Sequence, residues 1–145
     1  MPGYPGPWFS IRLRTGGGRL LHYRLVPRVL VCDDAPGFRL MLGLTLRDAG
    51  WEVEEADSYV TALARVRETR FDVVLADIWM PEPDMESLTA IRKLLPDGML
   101  AVMSSLELEQ ARVLVSEVDG VDMVLSKRTA PEEIAAALEH RREPT

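Results

Sequence analysis

Acidic residues follow two apolar stretches of the chain, at the points where a strand would give way to a loop. Asp33 and Asp34 come directly after RVLVC (28–32), and Asp77 comes directly after DVVLA (72–76). If these carboxylates lie close together, they cannot all stay ionised without compensation. A hard divalent cation would supply it, and a cluster of oxygen ligands favours Mg²⁺, which keeps several waters and bridges to phosphate groups.

Two more polar side chains occupy equivalent positions after later apolar stretches. Ser104 follows MLAVM (99–103), and Lys127 follows DMVLS (122–126). Three carboxylates and one ammonium carry a combined charge of −2, which one Mg²⁺ would neutralise. A phosphoryl group could then approach Asp77 as the nucleophile, since carboxylates form acyl phosphates. The metal, Lys127 and Ser104 would bind the phosphoryl oxygens as charge develops on them.

The spacing of apolar residues predicts the elements that position these side chains. The predicted strands are 28–32, 51–56, 72–76, 99–103 and 122–126, and the predicted helices are 36–49, a second after Ser58, 86–95, about 107–118, and a last one from Pro131. Gly50 should end the first helix. The second helix, with Ser58 as its N-cap, carries Val60, Leu63, Ala64 and Val66.

Five βα units in this order predict an α/β fold, a doubly wound five-stranded parallel sheet with helices on both faces. The first, third, fourth and fifth strands are continuous apolar runs, as expected of parallel strands buried on both faces. WEVEEA (51–56) is more polar and should lie nearer an edge. Sheets of this type bind ligands at the carboxyl ends of their strands, where the acids, Ser104 and Lys127 should meet.

Composition narrows the class of protein. The chain has 145 residues, of which 47% are hydrophobic and 28% charged, which is typical of one soluble domain. The single cysteine, Cys32, excludes an internal disulfide, suits a reducing compartment and is expected to be buried and inert. No apolar run approaches the roughly 18 residues that a membrane helix needs, so we expect a cytoplasmic protein without membrane contact.

Residues 1–27 differ from the rest of the chain. They hold four arginines and no acid, so they carry +4 of a net charge of −6, and the remaining 118 residues carry −10. FSIRLR and RLLHYRL flank a TGGG turn and could pair as a basic β-hairpin, while a flexible or non-native leader is the simpler alternative. The main domain would span 28–143. A body this acidic is not expected to bind nucleic acid directly.

From residue 28 to about 142 the sequence resembles the receiver domain of two-component response regulators. The matching residues are the Asp33–Asp34 pair, DIWMP (77–81) with Asp84 beyond it, Ser104 after the fourth strand, and Lys127 after the fifth. The resemblance implies a flavodoxin-like fold with strand order 2-1-3-4-5. It also implies a single-domain member of the family that acts in a phosphorelay.

The resemblance assigns roles to the acidic residues. Asp77 would take a phosphoryl group from a phosphohistidine on a sensor histidine kinase or a histidine phosphotransfer protein. Mg²⁺ would be held by Asp34, Asp77 and the main-chain carbonyl of Trp79, with Asp33 acting mainly through water. Trp79 and Leu106, two residues beyond Asp77 and Ser104, are apolar where polar groups could orient a hydrolytic water, so slow self-dephosphorylation is expected.

Four positions depart from the family's usual pattern. Ser105 stands where alanine is usual, Met85 where many members have glycine, and Arg128 where proline usually forms a cis bond, so the Lys127–Arg128 peptide should be trans. Val124 stands where many members carry a Tyr or Phe that turns inward on activation. Because valine cannot make that rotation, any signal would travel through Ser104 and the loop and helix that follow.

Three functions fit these residues. The first is a phosphorylation-operated module that signals to a downstream protein target through a changed binding surface. The alternative is a pseudo-receiver, a phosphorylation-independent platform for protein binding or homodimerisation. The third is an aspartate-nucleophile phosphatase, but such enzymes usually place a second acid where Trp79 stands here. We therefore predict a signalling domain with only self-phosphorylation and slow self-dephosphorylation chemistry, not an enzyme.

Overall fold

The computed structural model describes residues 13–14, 20–21 and 26–142 of the chain. Two short strands, Leu13–Arg14 (β1) and Leu20–Leu21 (β2), pair antiparallel. The main sheet consists of Arg28–Cys32 (β3), Glu52–Ala56 (β4), Val73–Asp77 (β5), Met99–Ser104 (β6) and Met123–Ser126 (β7). The helices are Pro36–Asp48 (α1), Tyr59–Glu68 (α2), Met85–Lys93 (α3), Leu108–Leu114 (α4) with a 3₁₀ turn at Val115–Glu117, and Pro131–Arg142 (α5).

The main sheet has the predicted topology. Its five strands are parallel and lie in the order β4-β3-β5-β6-β7, which is the order 2-1-3-4-5 of the βα units. Element ends shift by a few residues: β5 includes Asp77 itself, and the fourth helix gives way to the 3₁₀ turn after Leu114. Gly50 follows the first helix with a φ of 97°, a conformation that glycine adopts without strain.

Alternate residues of the central strands point to opposite faces of the sheet, and both faces are covered. One core contains Leu30, Val74 and Leu100 with apolar residues of α2, α3 and α4. The other contains Val31 and Leu75 with apolar residues of α1 and α5. Burial on both faces explains why these strands are continuous apolar runs. Cys32 lies in the first core, and burial raises the pKa of its thiol, as expected of an inert cysteine.

One prediction about burial was wrong. The fifth strand, β7, is half-buried along its length because it forms an edge, and an apolar run alone cannot distinguish an edge strand from a central one. In α2 the buried face runs through Tyr59, Ala62 and Val66, while Val60 is 79% exposed. Because Tyr59 carries a hydroxyl, it does not stand out as an apolar residue, and the i, i+3, i+7 spacing of the buried face is not evident from the sequence. Ser58 is the predicted N-cap, accepting a hydrogen bond from Thr61 N.

Most of the N-terminal segment lies outside the described residues. Beyond the pairing of β1 with β2, the choice between a basic hairpin and a flexible leader therefore stays a prediction, as does the domain boundary at residue 28. Across the part of the chain that the structure covers, no helix combines the length and the hydropathy that a membrane span requires.

Candidate functional site

Hydrogen bonds at the carboxyl edge of the sheet place the predicted site residues at one level. These bonds run from Asp33 N to Ala56 O (3.0 Å), from Ile78 N to Met103 O (2.9 Å), and from Lys127 N to Ser104 O (2.9 Å). They continue the pairing of β3 with β4, of β5 with β6 and of β6 with β7. The chain therefore leaves β3, β5, β6 and β7 at the same edge, so the side chains that follow these strands can meet.

Three carboxylates meet there, as the sequence predicted. Asp33, Asp34 and Asp77 each offer one oxygen, and these atoms all lie within 4.8 Å of one another. Asp33 is fully buried and Asp77 is 5% exposed, whereas Asp34 is exposed. The cluster is therefore a pocket that is open on the side of Asp34, where a hydrated cation or a phosphate group could enter.

Lys127 is the positive charge of this pocket. Its ammonium lies 2.7 Å from Asp33 Oδ2 and 3.1 Å from Asp77 Oδ2, and 4.4 Å from the centre of the Phe38 ring. Burial alone would lower the pKa of Lys127, but the hydrogen bonds and charges of the two aspartates outweigh it and raise the pKa. Lys127 therefore stays protonated and neutralises part of the acidic cluster.

The carboxylate of Asp77 is held from two sides. Its Oδ1 accepts a hydrogen bond from the Trp79 N–H at 3.0 Å, and its Oδ2 accepts one from Lys127 at 3.1 Å. Burial raises the pKa of Asp77 above its ordinary value, even though the Trp79 N–H and Lys127 both act to lower it. The ionised carboxylate is thus oriented but poorly solvated, a condition that additional positive charge would relieve.

The donor set fits a hard cation. Asp33 Oδ1 accepts a hydrogen bond from Ala35 N at 2.8 Å. Its buried Oδ2 lies 2.7 Å from the Lys127 ammonium, and the structure aligns no second donor on this oxygen within the described residues. Each carboxylate oxygen can accept more than one hydrogen bond, so Asp33 keeps acceptor capacity that suits a metal-bound water. Carboxylate oxygens without nitrogen or sulfur ligands favour Mg²⁺ or Ca²⁺ over transition metals.

Ser104 ends β6 beside the pocket. The side chain is 3% exposed, and its hydroxyl oxygen accepts a hydrogen bond from Leu106 N at 3.0 Å. Because this bond uses the oxygen as an acceptor, the hydroxyl proton can be donated to another group. β6 pairs with β5 up to the position Asp77–Met103, so Ser104 lies one residue beyond the level of Asp77 on the neighbouring strand.

Trp79 and Leu106 lie together beside α4, and their role at the mouth of the site stays a prediction. Both line an open groove of about 540 Å³, and the Trp79 side chain is 51% exposed. Glu109, Gln110, Val113 and Leu114 complete the lining.

The loop that carries Trp79 ends at Asp84, whose side chain caps α3. Asp84 accepts hydrogen bonds from Ser87, and these bonds lower the Asp84 pKa.

The departures from the family pattern have structural consequences. Among the described residues only Met80–Pro81 is a cis peptide, so Lys127–Arg128 is trans as predicted. The Arg128 guanidinium lies 3.1 Å from Glu107, which joins the loop after β7 to the loop after β6. Val124 is half-buried and packs against the core beside α4.

Three further residues support the site and were not predicted from the sequence. Phe38 lies under the Lys127 ammonium. Arg39 donates to Asp33 O at 2.6 Å and to Glu55 at 3.2 Å, which ties the loop of Asp33 to the neighbouring strand. The Tyr59 hydroxyl contacts the main-chain carbonyls of Asp77, the last residue of β5, and of Ile78. Helical spacing could have marked Phe38 and Tyr59 as inward-facing, but not their partners.

Comparison with known proteins gives matches along most of the chain. The family model described as the response regulator receiver domain matches residues 29–139. The chain is similar to the chemotaxis protein CheY of Thermotoga maritima, with 33% identity over 113 residues, 77% of this chain and 93% of that protein. It is also similar to the DNA-binding response regulator MtrA of Mycolicibacterium smegmatis, with 32% identity over 115 residues. That match covers 79% of this chain and 50% of MtrA, so the chain spans about half the length of that relative.

A solved structure has the same fold. It is a response regulator protein from Burkholderia pseudomallei with a phosphorylated aspartic acid, a calcium ion and citrate. The match has a TM-score of 0.71 and 25% identity, over 80% of this chain and 68% of that one. The strand order, the acidic pocket and these similarities agree. The chain belongs to the family of response regulator receiver domains.

Proposed function

We propose that the chain is a phosphoacceptor receiver in which Asp77 takes a phosphoryl group from a phosphohistidine. The observation that carries this proposal is the position of Lys127, whose ammonium contacts both Asp33 and Asp77. A solvated lysine would not reach two buried carboxylates. Here the lysine and the nucleophile lie on one side of a pocket whose other side, at Asp34, is exposed.

The acidic cluster is the proposed site of Mg²⁺. Asp34, Asp77 and the main-chain carbonyl of Trp79 would hold the ion, with Asp33 acting mainly through water. When bound, Mg²⁺ supplies the positive charge that lets a phosphate group approach three carboxylates. The Burkholderia protein contains a calcium ion together with its phosphorylated aspartate, which supports a hard cation here.

The transfer would form a bond from an Asp77 oxygen to phosphorus and break the bond from phosphorus to the donor histidine nitrogen. The phosphoryl group spreads negative charge over its remaining oxygens during this exchange. Lys127 can donate a hydrogen bond to one of these oxygens, because its ammonium already lies 3.1 Å from the Asp77 carboxylate. The hydroxyl of Ser104 can donate to another, since its oxygen already accepts from Leu106 N.

The output would be a changed protein-binding surface. The loop after β6 begins at Ser104 and leads into α4, so a hydroxyl drawn toward a phosphoryl group would shift this loop. A sensor histidine kinase or phosphotransfer protein would be the donor, and a downstream protein the target. MtrA is a DNA-binding relative, whereas the net charge of −10 on residues 28–145 favours a protein partner for this domain. No turnover of an external substrate is proposed.

Phosphorylation by a small donor tests this proposal. Purified protein would be incubated with acetyl phosphate and Mg²⁺, and its intact mass measured beside Asp77→Asn and Asp84→Asn. Asp84→Asn is the matched control, because it makes the same chemical change in an acid of the adjoining loop that only caps α3. The proposal expects one phosphoryl adduct in the wild type and in Asp84→Asn, none in Asp77→Asn, and none without Mg²⁺.

The opposite result would favour the pseudo-receiver. If the folded wild-type protein acquires no adduct from acetyl phosphate or from a phosphorylated histidine donor, Asp77 is not a phosphoacceptor. The acidic pocket would then serve a phosphorylation-independent binding platform.

A further inference from the structure

Tyr59 begins α2 and reaches beneath the end of β5. Its side chain is 6% exposed. Its hydroxyl lies 3.0 Å from the main-chain carbonyl oxygen of Asp77 and 2.6 Å from that of Ile78. The hydroxyl therefore contacts two consecutive carbonyls, one of them on the residue that would be phosphorylated.

The two peptide units that follow Asp77 are each held at both ends. In the first unit, the Asp77 carbonyl lies 3.0 Å from the Tyr59 hydroxyl and shares its single proton with the closer Ile78 carbonyl, and the Ile78 N–H donates to Met103 O at 2.9 Å. In the second unit, the Ile78 carbonyl accepts from Tyr59 and the Trp79 N–H donates to Asp77 Oδ1 at 3.0 Å. Because a peptide unit is planar, fixing its carbonyl also fixes the direction of its N–H.

This arrangement connects Tyr59 to the Asp77 carboxylate through a single peptide plane. The Tyr59 hydroxyl fixes the direction of the Ile78 carbonyl, and the planar peptide then fixes the direction of the Trp79 N–H. That N–H donates to Asp77 Oδ1 and so fixes the position of this oxygen. The other carboxylate oxygen, Oδ2, contacts Lys127, so the carboxyl group is oriented by one bond from below and one from the side.

We propose that Tyr59 is a positioning residue that orients the Asp77 carboxylate for phosphoryl transfer through the Ile78–Trp79 peptide. The effect on phosphorylation rests on the proposed function, whereas the effect on the peptide does not. Tyr59 touches neither substrate nor metal. Burial, and then the negative charge of Asp77, raise the pKa of Tyr59, so the hydroxyl keeps the proton that it donates.

A purely structural role for Tyr59 makes a different prediction. A buried tyrosine needs one acceptor for its hydroxyl, and losing that bond would lower stability alone. A positioning role adds an effect on the folded protein, because the reacting carboxylate becomes less well oriented. The two roles are therefore separated by measurements on folded protein rather than by stability.

The test compares Tyr59→Phe with Val66→Ala. The first variant keeps the buried ring and removes the hydroxyl. The second truncates another buried residue of α2, near the end of the helix that lies away from Tyr59, and so lowers stability. Two quantities would be measured for each: the amide hydrogen exchange of Trp79 by ¹⁵N NMR, and the rate constant of phosphorylation at saturating Mg²⁺ and acetyl phosphate.

We expect Tyr59→Phe to raise Trp79 amide exchange and to lower the saturated rate constant, each by about five- to tenfold, as the loss of one or two orienting hydrogen bonds implies. The acetyl phosphate concentration at half-maximal rate should not change. Val66→Ala should leave all three quantities at the wild-type values. Equal exchange and equal rates in Tyr59→Phe and wild type would overturn the proposal.

The amide measurement separates this proposal from the proposed function. If the wild-type protein is not phosphorylated, the proposed function fails, and Trp79 exchange in Tyr59→Phe alone decides whether the hydroxyl holds the peptide. If the wild type is phosphorylated and Tyr59→Phe reacts at the same rate, only the positioning role is wrong.

Discussion

The ammonium of Lys127 lies 2.7 Å from the carboxylate of Asp33, a side chain that is fully buried. This contact is shorter than the one from Lys127 to Asp77, at 3.1 Å. Without a metal ion, Lys127 is therefore the main compensation for the buried charge of Asp33. The residue that would bind the phosphoryl group also stabilises the metal-free domain.

Replacing Lys127 should destabilise the metal-free protein. Lys127→Met leaves two buried carboxylates without their cation, so we expect a loss of about 2–4 kcal/mol in the free energy of unfolding. Urea titrations with EDTA and with Mg²⁺ would measure this loss, which should shrink when Mg²⁺ is present. Arg128→Met is the control: the same charge is removed at an exposed neighbour, where the expected change is within about 0.5 kcal/mol.

The stabilisation by Lys127 has a defined pH dependence. Because the pKa of Lys127 is raised in the folded protein, its contribution is fully present below the unfolded-state value of about 10.4. It is lost as the pH rises through the folded-state pKa. Equal stability losses in Lys127→Met and Arg128→Met at neutral pH would contradict the role of Lys127 in the fold.

Asp77→Asn should stabilise the metal-free domain. Burial raises the pKa of Asp77, so the fold disfavours its ionised form, and the wild-type protein loses stability as the pH rises through that pKa. A neutral amide does not carry the cost of burying a charge. The melting temperature of the Asp77→Asn protein in EDTA at pH 7 should therefore exceed that of the wild type by a few degrees. Thermal unfolding followed by circular dichroism would measure the difference.

Asp84→Asn should not raise the melting temperature as Asp77→Asn does. Hydrogen bonds from Ser87 lower the pKa of Asp84, so its ionised form contributes stability that is lost as the pH falls through the folded-state pKa. Asn still caps the helix but without the charge, so the melting temperature should stay level or fall. A rise of the same size in both variants would show that burial of Asp77 is not the cause.

Asp34→Asn should weaken Mg²⁺ binding without affecting the fold. Asp34 is the exposed member of the carboxylate cluster. Its replacement should change stability by no more than about 0.5 kcal/mol, while the Mg²⁺ dissociation constant rises about tenfold or more. Isothermal titration calorimetry beside Asp57→Asn, an exposed acid directly after β4, would measure this. Equal Mg²⁺ affinities in the two variants would rule out Asp34 as a ligand.

Polar residues at the mouth of the site should shorten the lifetime of the phosphorylated form. Trp79 and Leu106 line one groove, and neither side chain offers a hydrogen-bond acceptor that could orient a water for attack. Trp79→Asn with Leu106→Glu should speed the loss of phosphate by about tenfold or more, which is less than the roughly hundredfold minimum typical of general acid–base catalysis because these groups would mainly orient the water. Val113→Asn, a polar change at another exposed residue of the groove, should not. Equal half-lives in all three proteins would contradict this role.

Much of the site could be predicted because strand ends are easy to locate. The apolar runs before Asp33, Asp77, Ser104 and Lys127 end abruptly, and a parallel sheet brings their carboxyl ends to one edge. The meeting of the three carboxylates with Lys127 followed from those two facts. Ser58 was predicted as the N-cap of α2 in the same way, from its place before the apolar residues of that helix.

The supporting contacts could not be predicted, because they depend on the rotation of helices and the direction of side chains. Apolar spacing in α2 is compatible with more than one buried face, and only the structure shows Tyr59 inside and Val60 outside. From α1, Phe38 reaches Lys127, which is far along the chain, and Arg39 reaches back to the main chain of Asp33. Neither contact leaves a mark in local periodicity.

Reductive trapping would show whether Asp77 carries an acyl phosphate. Protein treated with acetyl phosphate and Mg²⁺ would be reduced with borohydride, which converts an aspartyl phosphate to homoserine, and then mapped by peptide mass spectrometry. The account predicts homoserine at position 77 and none at Asp33, Asp34 or Asp84, with no conversion when Mg²⁺ is omitted. Conversion at another aspartate, or none in folded protein with Mg²⁺, would contradict it.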